Sequence, residues 1–210
     1  MKGVFITIEG VEGCGKTTQL GCLSRHLTET GYPVETTREP GGTPIAEAVR
    51  AMLLDPAHTA MTPTTELLLY EAARAQHVSE RIRPALEAGC VVLCDRFVDS
   101  TTAYQGGGRG MAWEMLNQLH AIATDGLWPH LTILLDVLVE EGRQRAQSGR
   151  SRDRIEGESL AFHERVRQAF LQIAAQEPER VRVVEGNQPI ENVRERVTAL
   201  VEEFLRSHEF

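Results

Sequence analysis

A glycine-rich stretch near the amino terminus has the residue pattern of a phosphate-binding loop. Residues 10–17, Gly10-Val11-Glu12-Gly13-Cys14-Gly15-Lys16-Thr17, satisfy G-x-x-x-x-G-K-[ST], directly after a predicted strand and directly before a predicted helix. The glycines let backbone N–H groups converge on phosphate oxygens, and the start of the helix adds the positive end of its dipole. We expect Lys16 to reach the β and γ phosphates of ATP and the Thr17 hydroxyl to hold Mg²⁺. The alternative, a glycine-rich turn with no ligand, explains the full pattern less well.

Lysine is rare in this sequence, which makes the lysine of the loop informative. Lys2 and Lys16 are the only lysines, and arginine occupies the other basic positions. A forked guanidinium is too bulky for a tight glycine loop, whereas a compact ammonium fits. The pattern therefore indicates a phosphate contact at Lys16.

An acidic residue at the end of the third predicted strand is a second candidate metal ligand. Asp95 follows the apolar run Val91–Cys94, and a carboxylate there can bind Mg²⁺ directly or through water. The alternative is an ion pair with Arg96, although adjacent side chains on an extended segment point to opposite faces. Asp136, after the fourth run, is as compatible with capping the next helix as with catalysis, and we leave it outside the predicted site.

Arginines follow the predicted strands, and phosphoryl transfer needs cations around the transferring group. Some of them lie near strand ends or on a helix that could overhang them: Arg38, Arg74 and Arg96. Others crowd a Gly/Ser-bearing stretch after the fourth strand: Arg143, Arg145, Arg150, Arg152 and Arg154. We interpret that stretch, near residues 143–156, as a lid; a solvated basic loop is the alternative.

Short β-branched runs alternate with stretches of helical apolar spacing, and this pattern predicts the elements that position these residues. The runs are Val4–Ile8, Val34–Thr37, Val91–Cys94, Leu131–Leu135 and Val181–Val184. Runs that are apolar at almost every position suit a parallel sheet covered on both faces. The predicted fold class is α/β, a three-layer P-loop kinase fold with about five parallel strands flanked by helices. Ligands bind such sheets beyond the carboxyl ends of the strands.

Length and composition limit the remaining possibilities. A chain of 210 residues with 41% hydrophobic and 25% charged residues is expected to form one domain, residues 1–210. A net charge of −8 disfavours binding of long nucleic acid or of an anionic membrane surface. No apolar run approaches the ~18 residues of a membrane span, and the four cysteines lack C-x-x-C spacing, so we expect a cytoplasmic protein with free thiols.

Taken together, three segments resemble the bacterial thymidylate kinases, and the resemblance covers nearly the whole chain. The segments are residues 9–18 (through Thr18), residues 37–43 (Thr37-Arg38-Glu39-Pro40-Gly41-Gly42-Thr43) and residues 95–106. The resemblance implies a homodimeric nucleoside monophosphate kinase with a three-layer α/β fold. It implies transfer of the γ-phosphate of ATP to thymidine 5′-monophosphate (dTMP), giving the diphosphate and ADP with Mg²⁺ as cofactor, as a step of dTTP synthesis.

The resemblance also implies roles for individual residues of the acceptor site. Glu12 becomes the partner of the 3′-hydroxyl of the acceptor sugar, and Arg74 and Arg96 become the cations that orient its phosphate or base. Forked guanidinium groups suit a phosphate, and a carboxylate readily accepts from a sugar hydroxyl. Tyr70 occupies the place of the aromatic ring that stacks on thymine, where phenylalanine is commoner. Arg38 is included among the acceptor-binding residues.

A second set of roles concerns selectivity for the acceptor. Ser100, Thr101 and Gln105 match the base-edge and acceptor contacts of the family. Tyr104 matches the ring that crowds the 2′ position of the sugar and so favours deoxyribose. The alternative for Tyr104 is an ordinary half-buried tyrosine, but the glycines that follow it, residues 106–108, suit a close approach of ligand and backbone.

The family places its transition-state arginine either in the phosphate loop or in the lid. Gly13 and Cys14 occupy the relevant loop positions here, so the chain resembles the lid-arginine form. The lid candidates are Arg145, Arg150 and Arg154. Matching residues 153–156 to the similar family segment puts Gly149 at the expected position of the catalytic cation, and Arg150 is the nearest substitute. The predicted catalytic residues are therefore Lys16, Arg96, Arg150 and Glu12.

Two other functions remain open at this point. One is a P-loop kinase for another small acceptor, such as uridylate, a deoxynucleoside or a non-nucleotide alcohol. The other is a nucleotide-dependent switch that acts through partner proteins. The sequence has no guanine-reading N-K-x-D pattern, which disfavours the switch.

Overall fold

The computed structural model describes residues 3–146 and 153–208. Within these ranges, one sheet contains five parallel strands in the order β2-β3-β1-β4-β5. The strands are β1 (Val4–Glu9), β2 (Val34–Arg38), β3 (Val91–Asp95), β4 (Leu131–Asp136) and β5 (Val181–Glu185). The predicted α/β class and the parallel sheet are confirmed.

Each strand ends one residue later than the apolar run predicts. Backbone hydrogen bonds form the ladder whatever the side chain, so a polar residue can end a strand without interrupting the pairing. The sheet therefore fixes the position of several polar side chains that directly follow the predicted apolar runs. These strand-ending residues are Glu9, Arg38, Asp95, Asp136 and Glu185.

Helices cover both faces of the sheet. They are α1 (Lys16–Glu29), α2 (Pro44–Leu54), α3 (Pro63–His77), α4 (Arg83–Glu87), α5 (Val98–Thr101), α6 (Trp113–Thr124), α7 (Val139–Ala146), α8 (Leu160–Gln176) and α9 (Ile190–Ser207). A first π-helical segment (Val78–Ile82) joins α3 to α4, and a second (Thr102–Gly108) continues α5. Among the described residues, no helix is both long and apolar enough to span a membrane.

The two faces of the central strands pack against different cores. Ile6 and Ile8 of β1 belong to a core shared with α1, α8 and α9. Phe5, which points to the opposite face, packs with the first π-helical segment and with Phe97. All side chains of β1 are buried, whereas the edge strands β2 and β5 are only partly buried. The sheet thus has the three-layer arrangement that its apolar runs predict.

Helix α3 brings several functional candidates to one face. The Thr62 side chain accepts a hydrogen bond from the Thr65 N–H, and proline occupies the first helical position, where its missing N–H has no cost. Glu66, Tyr70 and Arg74 then follow at intervals of four residues and share a face of the helix.

Candidate active site

The phosphate-binding loop connects β1 to α1. Gly13 and Gly15 have φ angles of 71° and 98°, a left-handed conformation that glycine adopts without strain. The Lys16 ammonium is buried and donates hydrogen bonds to the carbonyl oxygens of Gly10 (3.1 Å) and Val11 (2.9 Å). The lysine therefore closes the loop on itself in this structure.

The backbone of helix α7 lies directly on this loop. A Cβ atom added to Gly13 would be 1.9 Å from the Gly142 carbonyl oxygen, and one added to Gly142 would be 2.3 Å from the Glu12 carbonyl oxygen. Both distances are far shorter than van der Waals contact. Only glycine at both positions permits this approach of the two segments.

The two predicted metal ligands meet at the start of α1. The Thr17 hydroxyl donates a hydrogen bond to Asp95 Oδ2 at 2.9 Å. Asp95 ends β3, which pairs directly with β1, so the sheet register brings its carboxylate beside the loop. Hydroxyl and carboxylate oxygens are ligands that Mg²⁺ prefers, and this donor set fits the ion. The predicted neighbourhood of Thr17 and Asp95 agrees with the geometry.

Arg96 connects the loop to the segment that follows β3. Its backbone has a φ of 72°, an uncommon value for a residue other than glycine. Nη1 donates to the Gly10 carbonyl (3.0 Å) and to Ser100 Oγ (3.0 Å). Nη2 donates to Glu12 Oε1 (2.9 Å) and to the Tyr104 hydroxyl (3.2 Å). The predicted site residues Glu12, Arg96, Ser100 and Tyr104 thus form one cluster.

Glu12 is held in its ionised form within this cluster. Burial raises the pKa of this carboxyl, but the charges of Arg96 and Lys16 outweigh that effect and the net pKa is lowered. The Tyr104 hydroxyl lies within hydrogen-bond distance of both carboxylate oxygens, at 2.7 and 2.8 Å. Glu12 therefore presents a negatively charged acceptor in the cavity.

Glu9, the last residue of β1, contacts the segment that directly follows Arg96. It is fully buried and accepts hydrogen bonds from the Phe97 N–H (2.7 Å) and the Ser100 hydroxyl (2.6 Å). Burial, followed by the nearby charge of Asp99, raises the pKa of Glu9 to about 7. We infer that Glu9 holds the backbone beside Arg96 in its left-handed conformation.

Arg74 lies at the floor of the cavity in a buried ion cluster. Its Nε donates to Glu39 (2.8 Å) and its Nη1 donates to Glu71, while its Nη2 donates to the Phe97 carbonyl (3.2 Å) and to Thr101 Oγ1 (2.9 Å). Burial lowers the pKa of this guanidinium, but the two carboxylates outweigh burial and raise it. Arg74 is therefore a fixed cation rather than an adaptable one.

Buried histidines extend this cluster on both sides. His77 bridges Glu39 and the Thr37 hydroxyl, and His120 bridges Glu71 and the Thr102 hydroxyl. Each carboxylate that holds Arg74 is thus itself held by an imidazole. This polar network rigidifies the group at its centre, and Glu71 Oε2 is the one oxygen of the two carboxylates left without a hydrogen-bond partner among the described residues.

Two arginines and an aromatic ring line the cavity beside α2. Arg38 is exposed and pairs with Glu47 (2.9 Å), whereas Arg50 is half-buried and donates to the Pro40 carbonyl (2.7 Å). Burial, then the like charge of Arg38, lowers the pKa of Arg50. Tyr70 is half-buried, and burial followed by the charge of Glu66 raises the pKa of its phenol.

The predicted lid residues have three different fates. Arg145, near the end of α7, donates to the Gly186 carbonyl (3.0 Å) and lines the cavity. Arg154 donates through Nε to the Leu53 carbonyl (2.8 Å) and forms an ion pair with Glu66. Arg150 lies outside the described residues, as do residues 147–152 of the predicted lid.

Asp136 accepts two hydrogen bonds from Arg167, at 2.7 and 2.8 Å, and so forms an ion pair with α8.

Most of the predicted site lines one cavity of about 1150 Å³. This volume exceeds that of a typical pocket for a single ligand. Its walls combine the phosphate loop with the residues after β2 and β3. The predicted residues that line it are residues 12–18, Arg38, Tyr70, Arg74, Asp95, Arg96, Ser100, Thr101, Tyr104, Gln105 and Arg145.

Sequence reasoning missed three groups that the structure puts in or beside this site. Arg50 lines the cavity, Glu9 holds the turn at Arg96, and Glu39 fixes Arg74. Glu39 lies within the second quoted segment and Glu9 directly precedes the loop, so position could have indicated both. Arg50 lies inside α2 and carries no local signal.

Comparisons with known proteins agree with this geometry. A family model described as "Thymidylate kinase" matches residues 8–197. The chain is 55% identical over 205 residues to a thymidylate kinase of Geotalea uraniireducens, with 95% of this chain and 96% of the relative covered. It is 53% identical over 203 residues to one of Thermomicrobium roseum, with 96% of each covered. A crystal structure of a thymidylate kinase from Ehrlichia chaffeensis superposes with a TM-score of 0.80 at 34% identity, covering 96% of this chain and 99% of that one.

Proposed function

This chain belongs to the thymidylate kinase family, and on that premise we propose which of its residues perform each part of the reaction. It transfers the γ-phosphate of ATP to dTMP, giving dTDP and ADP, as a step of dTTP synthesis. In this reaction an oxygen of the acceptor phosphate forms a bond to the γ-phosphorus as the bond to the leaving ADP breaks. The protein contributes position and charge rather than a covalent intermediate.

The donor half of the site is the phosphate loop with Thr18. Its backbone N–H groups bind the triphosphate, which the left-handed glycines permit. Lys16 exchanges its two carbonyl partners for phosphate oxygens when ATP binds. Its ammonium then stabilises the charge that develops on the transferring group.

Thr17 and Asp95 would hold Mg²⁺. Their oxygens are adjacent, at 2.9 Å, and both lie beside the lysine that contacts the phosphates. When bound, the ion neutralises charge on the β and γ phosphates. The residues themselves orient the ion through one hydroxyl and one carboxylate.

Glu12 and Tyr104 form the sugar subsite. Glu12 is ionised, so it accepts a hydrogen bond from the 3′-hydroxyl of the acceptor. Tyr104 fixes the carboxylate through its own hydroxyl, and its ring occupies the space that a 2′-hydroxyl would need. Arg96 joins the two and places a positive charge beside the reacting phosphates.

The base subsite lies between α3 and the second π-helical segment. Tyr70 stacks on the pyrimidine ring, and Arg74 and Thr101 lie at the floor of the cavity, joined by a hydrogen bond. Ser100 and Gln105 line the same end of the site. We assign the base edge to these side chains.

Arg38 and Arg50 together attract the phosphate of dTMP. Burial and the like charge of Arg38 lower the pKa of Arg50, and an anion placed between the two guanidinium groups relieves their repulsion. Arg50 is already held by the Pro40 carbonyl, so its binding costs little conformational entropy. Arg96 completes this subsite from the side of the loop.

The transition-state cation comes from the lid near residues 143–156. We assign it to Arg150, with Arg145 orienting the donor nucleotide from the described end of α7. Arg150→Ala should lower kcat by ~10²-fold and change the affinity for dTMP much less. A loss confined to affinity would remove Arg150 from the catalytic role.

Further assignments concern the whole chain. Residues 1–210 form one cytoplasmic domain that binds neither long nucleic acid nor membrane.

The chain is a homodimer, and its partner is a second copy that covers exposed apolar side chains on the adjacent helices α3 and α6. These are Leu68 (52% exposed), Met115 (41%) and Ile122 (77%). Sedimentation velocity of the wild type and of Ile122→Glu tests this assignment, because a charge at the contact should yield monomers.

The observation that carries the site assignment is that Lys16 and Arg74 line one cavity. A coupled assay of ADP formation across dTMP, dUMP, dCMP and UMP, each with and without magnesium, tests donor, metal and acceptor together. We expect turnover with dTMP that requires magnesium. Equal rates with UMP and dTMP would contradict the sugar and base subsites while leaving the kinase class intact.

A further inference from the structure

Glu66 is a buried carboxylate that no step of the proposed reaction uses. It lies on α3, one turn before Tyr70, and is only 1% exposed. Oε1 accepts hydrogen bonds from Gln105 Nε2 (2.8 Å) and Arg109 Nε (3.1 Å). Oε2 accepts one from Arg109 Nη2 (3.0 Å) and pairs with Arg154. The carboxylate thus joins α3 to the second π-helical segment and, through Arg154, to the last part of the predicted lid.

Two arginines keep Glu66 ionised. Burial raises the pKa of its carboxyl, but hydrogen bonds from Arg109, Gln105 and Arg154, together with the charge of Arg109, outweigh burial and lower the pKa. An ionised carboxylate has no proton to donate and acts only as a hydrogen-bond acceptor. Whatever faces Glu66 must therefore be a donor.

This constraint fixes the orientation of the Gln105 side chain. An amide can present either its NH₂ group or its carbonyl oxygen to a neighbour. Opposite an obligate acceptor it must present the NH₂ group, so the carbonyl oxygen Oε1 occupies the other end of the amide. Gln105 is 1% exposed and lines the cavity, and no described residue donates a hydrogen bond to its Oε1.

We propose that Glu66 is a positioning residue that determines base selection by turning the carbonyl oxygen of Gln105 toward the nucleobase. A carbonyl oxygen at that place accepts from the N3–H group of thymine or uracil. Cytosine has a lone pair at N3, so the same oxygen repels it. Glu66 therefore favours pyrimidines that carry a proton at N3, without touching the base itself. This inference rests on the proposed contact between Gln105 and the base.

The test is the selectivity of Glu66→Gln, measured as kcat/KM for dTMP, dUMP and dCMP. A neutral amide at this position can donate to Gln105, which frees the Gln105 amide to rotate. We expect the dTMP to dCMP ratio to fall by about tenfold or more, mainly through a higher KM for dTMP. The dTMP to dUMP ratio should stay within about twofold, because both bases carry the N3 proton.

Arg109→Gln is the matched control. It removes one partner of Glu66 but leaves Arg154 to keep the carboxylate ionised and leaves the hydrogen bond to Gln105 in place. We expect lower thermal stability and an unchanged dTMP to dCMP ratio. If Arg109→Gln and Glu66→Gln lower the ratio equally, Glu66 only supports packing and the inference is overturned.

Two further variants keep the inference testable. If Glu66→Gln does not fold, Glu66→Asp retains the charge but withdraws the carboxylate by one methylene, and the same fall in ratio is expected. An unchanged ratio in a folded Glu66 variant refutes the inference. Gln105→Ala distinguishes the proposed base contact from the role of Glu66. An unchanged dTMP to dCMP ratio in Gln105→Ala refutes the contact between Gln105 and the base. A changed ratio in Gln105→Ala, together with an unchanged ratio in Glu66→Gln, refutes only the role of Glu66.

Discussion

The donor and acceptor halves of the site are built in opposite ways. The phosphate loop is one continuous segment, and we propose that it binds ATP through backbone groups and the single ammonium of Lys16, which donates to two loop carbonyls in the structure. The acceptor half is assembled from α3, the turn after β2 and the segments after β3, and its central Arg74 is fixed by Glu39 and Glu71. The donor half can thus lose its key side chain without losing its fold, whereas the acceptor half cannot.

Lys16→Ala tests the donor side of this contrast and should have the largest effect on activity. Removal of the ammonium should lower kcat by ~10²–10³-fold, because its charge acts on the transition state. Melting temperature should change little, since the hydrogen bonds of the lysine side chain go only to atoms of its own loop: the carbonyls of Gly10 and Val11 and the sulfur of Cys14. Steady-state kinetics and differential scanning fluorimetry measure both quantities. Unchanged turnover would refute the assignment of the loop.

Arg74→Met tests the acceptor side. The substitution leaves Glu39 and Glu71 buried without their cation, so we expect the free energy of unfolding to fall by ~3–5 kcal/mol. Arg182→Met is the control, because the Arg182 side chain is 43% exposed and only loosely paired with Glu179 (3.4 Å), and its loss should cost less than ~1 kcal/mol. Urea denaturation measures both. Equal costs would mean that the cluster around Arg74 does not stabilise the fold.

Glu9 links the two halves and gives the contrast a pH dependence. Its pKa is raised to about 7 in the folded protein, from 4.5. Between these values the unfolded chain releases a proton that the folded chain keeps, so stability should fall as pH rises from about 5 to 7. We expect the free energy of unfolding to fall by ~1–3 kcal/mol over this range, because each unit by which the pKa is raised corresponds to ~1.4 kcal/mol. Denaturation series at pH 5 and pH 8 should show this loss in the wild type and a smaller one in Glu9→Gln.

Substitutions of Tyr104 should have the smallest effect and show how the acceptor half selects by shape. Tyr104→Phe removes the hydroxyl that holds Glu12, so KM for dTMP should rise by about threefold while deoxyribose selectivity persists. Tyr104→Ala opens the space beside the sugar and should lower discrimination against the ribonucleotide. Kinetics with dTMP and ribothymidine monophosphate measure both. Identical selectivity in the two variants would exclude a steric role for the ring.

The same contrast explains what the sequence could predict. Lys16, Thr17 and Asp95 were predicted correctly as neighbours because a loop pattern and a strand end have fixed places in a parallel sheet. The positions of the five strands along the chain, and their alternation with helices, followed from the apolar runs. The ion pair of Asp136 with Arg167 was not predictable, because it depends on how α8 crosses the end of the sheet.

Buried side chains that hold other side chains were the least predictable part of the site. Glu66 meets Gln105 and Arg109 only because α3 packs beside the second π-helical segment. No local spacing relates Glu66 to Gln105 and Arg109, which lie 39 and 43 positions later in the sequence. His77 and His120 likewise gain their partners from tertiary packing. Resemblance to a family can name such residues, but their function follows only from the contacts.

The contact between Gly13 and Gly142 limits how this enzyme can evolve. A point mutation that gave Gly13 any side chain would drive it into the backbone of α7, because even a methyl group would overlap the Gly142 carbonyl oxygen. An arginine introduced at that loop position is therefore blocked unless α7 is displaced first. The close packing of these two backbones therefore excludes one of the two loop positions at which such a cation could arise.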